Sequence, residues 1–198
     1  YSLNEVMVSC GGKQVFYNLC QAILNEGDEV IIPTPYWVSY PDMAILADAT
    51  PVFIEAGLEQ DFKITPEQLE ASITDKSKLF VLNSPSNPTG TLIKKDVLRD
   101  IHRVVQANQG VLIVDEIYHG LTYGEEISSA LEFGDDLFVI NSFSKYFAMT
   151  GWRLGWAVLP EESVDDFEKL ARTLYISSPD VAQMPAVAAF HPESINAL

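Results

Sequence analysis

Leu137-Phe138-Val139-Ile140-Asn141-Ser142-Phe143-Ser144-Lys145 is the stretch on which the reading of this sequence turns. Four apolar residues of strand type (Leu137 to Ile140) run straight into a short polar loop, and that loop carries one lysine, with Arg153 eight positions later. Polar loops at the ends of buried strands are where open α/β sheets bind ligands. A buried or half-buried lysine loses its charge readily, and a neutral amine can form a Schiff base with a carbonyl compound. Taken alone, Ser-x-Ser-Lys is also what a surface lysine at a strand end looks like.

Outward from this loop, strands and helices alternate. Upstream, an apolar segment (Glu5 to Cys10) precedes Gly11-Gly12-Lys13-Gln14, which opens a helix whose Val15, Phe16, Leu19, Ala22 and Ile23 share one face; Gly27 is expected to end it. Strands are expected at Glu29–Ile32, Pro51–Glu55, Leu79–Leu82 and Val111–Val114, and helices at Val38–Ala47 and Lys94–Gln106. Thr65-Pro66-Glu67-Gln68 starts a further helix, running to about Ile73, with a Thr cap, Pro at the first helical position and Gln completing a capping box. Downstream, Leu154–Leu159 reads as a strand and Glu161–Tyr175 as a helix. Ser177-Ser178-Pro179 then breaks the chain before a last helix from Asp180, which Pro185 is expected to kink. This order predicts one domain of α/β class, a three-layer α/β/α arrangement on a mainly parallel sheet.

Composition narrows the function classes. The 198 residues are 47% hydrophobic, enough for a sizeable core. The formal net charge of −16 argues against nucleic acid as a partner, since phosphate backbones need a basic face. No apolar run reaches the ~18 residues needed to cross a bilayer and no signal-peptide pattern opens the sequence, so no membrane and a cytoplasmic location are expected. Cys10 and Cys20 make no disulfide framework, and His102, His119 and His191 are too scattered for a metal site. The chain opens on tyrosine and closes without an obvious final element, which suggests part of a longer protein.

Four more loops carry chemical parts. Gly11-Gly12-Lys13, at a helix start, offers free amides and a positive dipole end to an anion such as phosphate, or is a simple turn. Trp37, after Pro35-Tyr36, could stack on a flat heteroaromatic ring or pack in the core. Asn87-Pro88 could present an amide to a ligand oxygen, or be an ordinary turn. Asp115, with Tyr118 nearby, would need a cationic partner if buried; a protonated ring nitrogen, a salt bridge and a helix cap all qualify. Pyridoxal 5'-phosphate asks for all of these parts together: an anion cup, a stacking face, an acid for its ring nitrogen, donors for its 3-oxygen and an amine for its aldehyde.

Gly-Gly-Lys-Gln, Pro-Tyr-Trp, Asn-Ser-Pro-x-Asn-Pro-Thr-Gly, Asp-Glu-Ile-Tyr and Ser-x-Ser-Lys-x-Phe-Ala-Met-Thr-Gly-Trp-Arg-x-Gly resemble, over essentially the whole chain, the large domain of fold-type I, class I/II aminotransferases, nearest the bacterial aspartate aminotransferase branch. The resemblance implies that Lys145 carries the cofactor aldehyde, that Asp115 partners the pyridine nitrogen and that Asn87 and Tyr118 serve the 3-oxygen. Trp37 would stack on the ring, and Gly11, Gly12, Lys13, Ser142 and Arg153 would form the phosphate cup, with Asn87-Pro88 cis. It further implies ping-pong transfer of an amino group between an L-amino acid and a 2-oxo acid, in a homodimer. β-Carbon lyases, synthases and the cofactor-sensing domains of transcription regulators share the same shell. The family's N-terminal segment and its small domain, with the arginine that clamps the substrate carboxylate, have no counterpart in this sequence. Lys169 and Arg172 read as surface charges, and Leu174 to Gln183 holds no arginine to read a dicarboxylate. Residues 1–198 alone are therefore expected to hold the cofactor with little turnover.

Overall fold

A computed structural model describes all residues from Tyr1 to Leu198. Seven strands, β1 (Val6–Ser9), β2 (Glu29–Thr34), β3 (Thr50–Glu55), β4 (Ser77–Asn83), β5 (Val111–Asp115), β6 (Phe138–Ser142) and β7 (Gly155–Val158), form a single sheet in the order β1-β7-β6-β5-β4-β2-β3. Only β7 runs against the rest, pairing antiparallel with β1 and β6. The central strands are apolar on both faces, as strands covered from both sides must be. Val30, Ile32, Leu79, Val81 and Ile113 pack beneath α1 (Gly12–Ile23), α2 (Ser39–Ile45) and α5 (Val164–Leu174). Their neighbours Ile31, Phe80, Leu82, Leu112 and Val114 pack on the opposite face against α3 (Pro66–Ser72) and α4 (Lys95–Ala107). The three-layer α/β/α arrangement is thus the observed one. Two further helices, α6 (Asp180–Ala189) and α7 (Pro192–Ile195), close the chain, and α6 sets Ala182 and Ala186 against Phe143 and Leu154.

Local signals explain most boundaries. The α3 start has both halves of the expected capping box, Gln68 N donating to Thr65 Oγ1 at 3.3 Å and Thr65 N to Gln68 Oε1 at 3.0 Å. Several expectations shift. Helix α1 ends at Ile23, short of Gly27, because Leu24 turns extended into the core and the following turn makes its own bonds, Asn25 N to Asp28 Oδ2 and Gly27 N to Asp48 O. Gly27, at φ +87°, serves that turn and not the helix. Strand β2 runs through Pro33 to Thr34. Its pairing with β4 stops at Ile31, so Pro33 lies where β3 is its only neighbour and its missing N–H interrupts no central ladder. Helix α6 continues through Pro185 to Ala189 without a break.

The register across the sheet positions the site. Asn83 lies beside Asp115, Asp115 beside Ile140, Ser142 beside Gly155 and Gly155 beside Ser9. The loops that leave β4, β5 and β6 therefore emerge in one row. The N-terminus of α1 meets the same row, since a Cβ on Gly155 would stand 2.7 Å from Gly12 N and 2.9 Å from Asn141 O. Both obstacles are backbone. Gly155→Ala is expected to destabilise the fold by roughly 2–3 kcal/mol, as overpacking of a buried position does, and to push the α1 N-terminus out of place. A denaturant melt that matches the parent would overturn this.

Candidate active site

Asp115 ends β5 at the bottom of a cleft of about 90 Å³ whose walls include Gly12, Lys13, Trp37, Asn87, Tyr118 and Lys145. The aspartate is 6% exposed, and no cation of the chain pairs with it. Its donors are neutral: Tyr40 Oη to Oδ2 at 2.6 Å and Ile117 N to Oδ1 at 3.1 Å. Burial pushes its carboxyl up to about 6, and the two donated bonds hold it from going higher. Neither a salt bridge nor a helix cap accounts for it. A carboxylate so placed fits a cationic partner arriving from the cleft.

The β4 loop is ordered around this residue. Asn83 Nδ2 donates to the Asp115 carbonyl at 2.9 Å, and Asn83 Oδ1 accepts from Asn87 N at 2.6 Å. Asn87-Pro88 is cis, as expected, and so are Thr34-Pro35 and Ser84-Pro85. Asn87 and Tyr118 share the cleft wall. Burial and then the charge of Asp115 raise the Tyr118 phenol, and hydrogen bonding from the Asn87 side chain opposes them. An amide and a phenol therefore converge on one spot beside the acid.

Lys145 stands at the rim, with Nζ 5.7 Å from the centre of the Tyr118 ring. It is exposed, as the surface alternative had it, because the loop beyond β6 carries it past the last paired strand residue, Ser142. Trp37 is half-buried, edge-on to Tyr40 with ring centres 5.3 Å apart, and the Lys13 ammonium sits 4.9 Å from its ring centre.

At the other end, Gly11 takes φ +93° as the residue before α1. A Cβ there would stand 2.6 Å from Arg153 Nη2, so the guanidinium lies directly on the glycine backbone at the helix N-terminus. Arg153 itself has φ +53° and donates through Nη1 to the Thr150 carbonyl at 2.7 Å. Free amides, a helix dipole and a guanidinium make an anion cup. Ser142 stands behind it, its Cβ 3.6 Å from where a Gly12 Cβ would be, but its hydroxyl is turned into the loop. That hydroxyl lies 3.0 Å from Ser144 Oγ and 3.1 Å from the Leu154 carbonyl, and accepts from Ser144 N at 3.0 Å. Contact with a ligand would require Ser142 to give up one of these bonds.

Seven of the ten residues singled out in the sequence thus line the cleft, and Gly11, Ser142 and Arg153 gather at its cup end. Tyr40, Asn83 and Ile117 were missed. Tyr40 shares a helix face with the core residues Met43 and Ala44, so its pattern reads as packing; Asn83 had a signal, as the polar residue that closes β4 after an apolar run. Next to Asp115, Glu116 is buried against Ser129, Ala130 and His119; burial pushes it up to about 7 and lowers His119, so both lean toward their neutral forms. Lys169 and Arg172 are exposed and paired with Asp166 and Glu168, as surface charges should be. No group of three His, Cys, Asp or Glu side chains could hold a metal ion.

The residues present suit pyridoxal 5'-phosphate part by part: an unpaired buried acid, an amide and phenol beside it, an aromatic wall, an amine at the rim and an anion cup. Comparison with known proteins agrees. The family described as aminotransferase class I and II matches residues 2–197. An aspartate aminotransferase of Bacillus sp. strain YM-2 is 44% identical over 196 residues, covering 96% of this chain and 50% of that protein. A probable aspartate/prephenate aminotransferase of Rickettsia conorii is 41% identical over 197 residues, covering 96% and 49%. The structure of Thermus thermophilus aspartate aminotransferase with maleate superposes with a TM-score of 0.96 at 38% identity, over all of this chain and 52% of that one. The chain spans about half the length of these relatives.

Proposed function

The chain belongs to the class I and II aminotransferases, and on that premise we propose that residues 1–198 form a cofactor-binding domain serving amino transfer between an L-amino acid and a 2-oxo acid. Pyridoxal phosphate is the cofactor of that family. The observation that carries the proposal is Asp115, buried among neutral donors at the bottom of a cleft whose rim presents Lys145. When bound, the cofactor supplies a carbonyl that condenses with amines and a protonated ring that draws electrons from the substrate Cα.

Asp115 would hold the proton on the ring nitrogen, which requires the carboxylate form; a cation beside it favours that form against the burial that now opposes it. Tyr40 and Ile117 keep its two oxygens aimed. Asn87 and Tyr118 would hold the 3-oxygen, Trp37 the ring face, and Gly11, Gly12, Lys13 and Arg153 the phosphate, with Ser142 supporting the cup from behind. Lys145 would take the proton from the substrate Cα and return it on the other side of the transfer. A homodimer and a cytoplasmic setting are part of the same proposal and rest on family likeness. Within the chain itself, no helix is long and apolar enough to cross a membrane.

The names of the relatives make aspartate the first donor to try. Incubation of the protein and pyridoxal phosphate with aspartate and 2-oxoglutarate is expected to give exchange of the amino group without free ammonia, slowly from residues 1–198 alone and faster from a chain of the relatives' full length. Ammonia released with no exchange, across a panel of donors, would move the chain to the lyases.

A further inference from the structure

Two loops carry the amine and the phenol that meet across the cleft: residues 116–121 beyond β5 and 143–149 beyond β6. The first is firmly tied. The buried Glu116 carboxylate accepts from Ala130 N at 2.7 Å and Ser129 Oγ at 2.9 Å, and two successive turns follow, His119 N to Glu116 O at 2.9 Å and Leu121 N to Tyr118 O at 3.0 Å. Within the second turn lies Gly120, at φ +93°, where an L side chain is strained. A Cβ on Gly120 would stand 2.7 Å from Cε2 and 2.8 Å from Cγ of Tyr146. Cγ is the root of the ring, so the ring could not bend aside at its tip; the whole side chain would have to rotate away. Rotation is opposed from behind. Phe147 stands edge-on to Tyr146 at 5.1 Å and packs at a tilt, 4.9 Å between ring centres, on Phe143, which is held against Trp156 and Phe190.

We propose that Tyr146, seated between the bare backbone of Gly120 and this aromatic cluster, is a positioning residue that locks the Lys145 loop to the Tyr118 loop and so fixes the amine over the phenol. Tyr146 follows Lys145 directly, and Ala148 N donates to the Lys145 carbonyl at 2.9 Å, so the lysine backbone cannot move independently of the seated ring. The small residue and the large one are complementary. Glycine at 120 makes room for the ring, and the ring occupies the space that glycine leaves. The proposal rests on Lys145 being the residue that takes up the cofactor.

The test is a double-mutant cycle on cofactor affinity rather than turnover. Cofactor-free parent, Tyr146→Phe, Tyr146→Ala, Gly120→Ala and the Gly120→Ala/Tyr146→Ala pair are titrated with pyridoxal phosphate. The site of attachment is read by borohydride reduction and peptide mass spectrometry, and folding is checked by thermal midpoint. Tyr146→Phe keeps the ring and should bind within about twofold of the parent, whereas Tyr146→Ala should bind about tenfold more weakly and spread label from Lys145 to other lysines. Gly120→Ala should weaken binding about tenfold when the ring is present and about threefold or less when it is absent, because only the backbone strain then remains. Additive single effects, or a folded Tyr146→Ala that binds like the parent, would overturn the lock. If Gly120→Ala fails to fold, the Phe and Ala variants at 146 decide the matter between them. A parent protein that takes up no pyridoxal phosphate at Lys145 would remove the function reading itself, and the lock with it.

Discussion

Lys145→Ala is expected to lower amino transfer by on the order of 10⁴-fold or more while leaving the fold intact, because the variant loses the group that moves the substrate proton as well as the attachment point for the cofactor. The two halves of that expectation come from the same observation. Lys145 is exposed, and its one aromatic neighbour is the Tyr118 ring at 5.7 Å. Exposed substitutions away from packed or bonded features stay within about 0.5 kcal/mol, so the melting curve should hardly move. Lys145→Arg is the sharper control. It keeps the positive charge and much of the length, but guanidinium stays protonated and cannot act as a neutral amine, so activity should be lost nearly as completely. Stopped-flow absorbance of the half reaction with an amino acid, together with a denaturant melt, checks both points. An alanine variant within tenfold of the parent would sink the assignment of Lys145.

How far the sequence reached is clearest at the strand ends. Asn83, Asp115 and Ser142 each follow an apolar run long enough to be read as a strand, and parallel packing then brings such ends to one edge of the sheet without further information. The glycines were legible for a related reason: Gly-Gly before an amphipathic helix has few uses, and Gly11 at φ +93° is one of them. What could not be read was anything set by contact between distant side chains. Tyr40 lies 75 positions from the carboxylate it binds and sits on a helix face that any core aromatic could occupy. The same limit hid the inward turn of the Ser142 hydroxyl, which depends on where the Leu154 carbonyl falls after β7 has doubled back, and it hid the seat of Tyr146 on Gly120. Whether Lys145 is buried or at the surface was open in its own five residues; the neighbouring Phe143 and Phe147 turn toward α6 and the aromatic cluster and leave the lysine outside.

Asp115→Asn is expected to have opposite effects on activity and on the stability of the cofactor-free protein. Burial raises the folded-state carboxyl from 3.8 to about 6, so the folded chain holds this proton more tightly than the unfolded chain does. Stability from this group is therefore fully present below pH ~4, falls as the pH rises through ~4 to ~6, and stays low above that. A shift of about two units corresponds to ~3 kcal/mol lost by neutral pH. Asparagine carries no charge at any pH in this range; its Oδ1 can accept from the Ile117 amide while its Nδ2 donates to the Tyr40 oxygen, whose hydroxyl then reverses its role. The variant should thus be more stable than the parent at pH 8 by up to ~3 kcal/mol, with the gap closing toward pH 4. Urea melts at several pH values would show it. Function should move the other way. Asparagine cannot balance a protonated ring nitrogen, and loss of one preorganised electrostatic partner at a reacting group costs about 10²- to 10³-fold in rate. Pyridoxal phosphate should also raise the melting point of the variant less than that of the parent, since the cofactor no longer relieves a buried charge. An Asn variant that is less stable than the parent at pH 8 without cofactor would show that Asp115 is a structural residue, held for its bonds to Tyr40 and Ile117 and not for a cation.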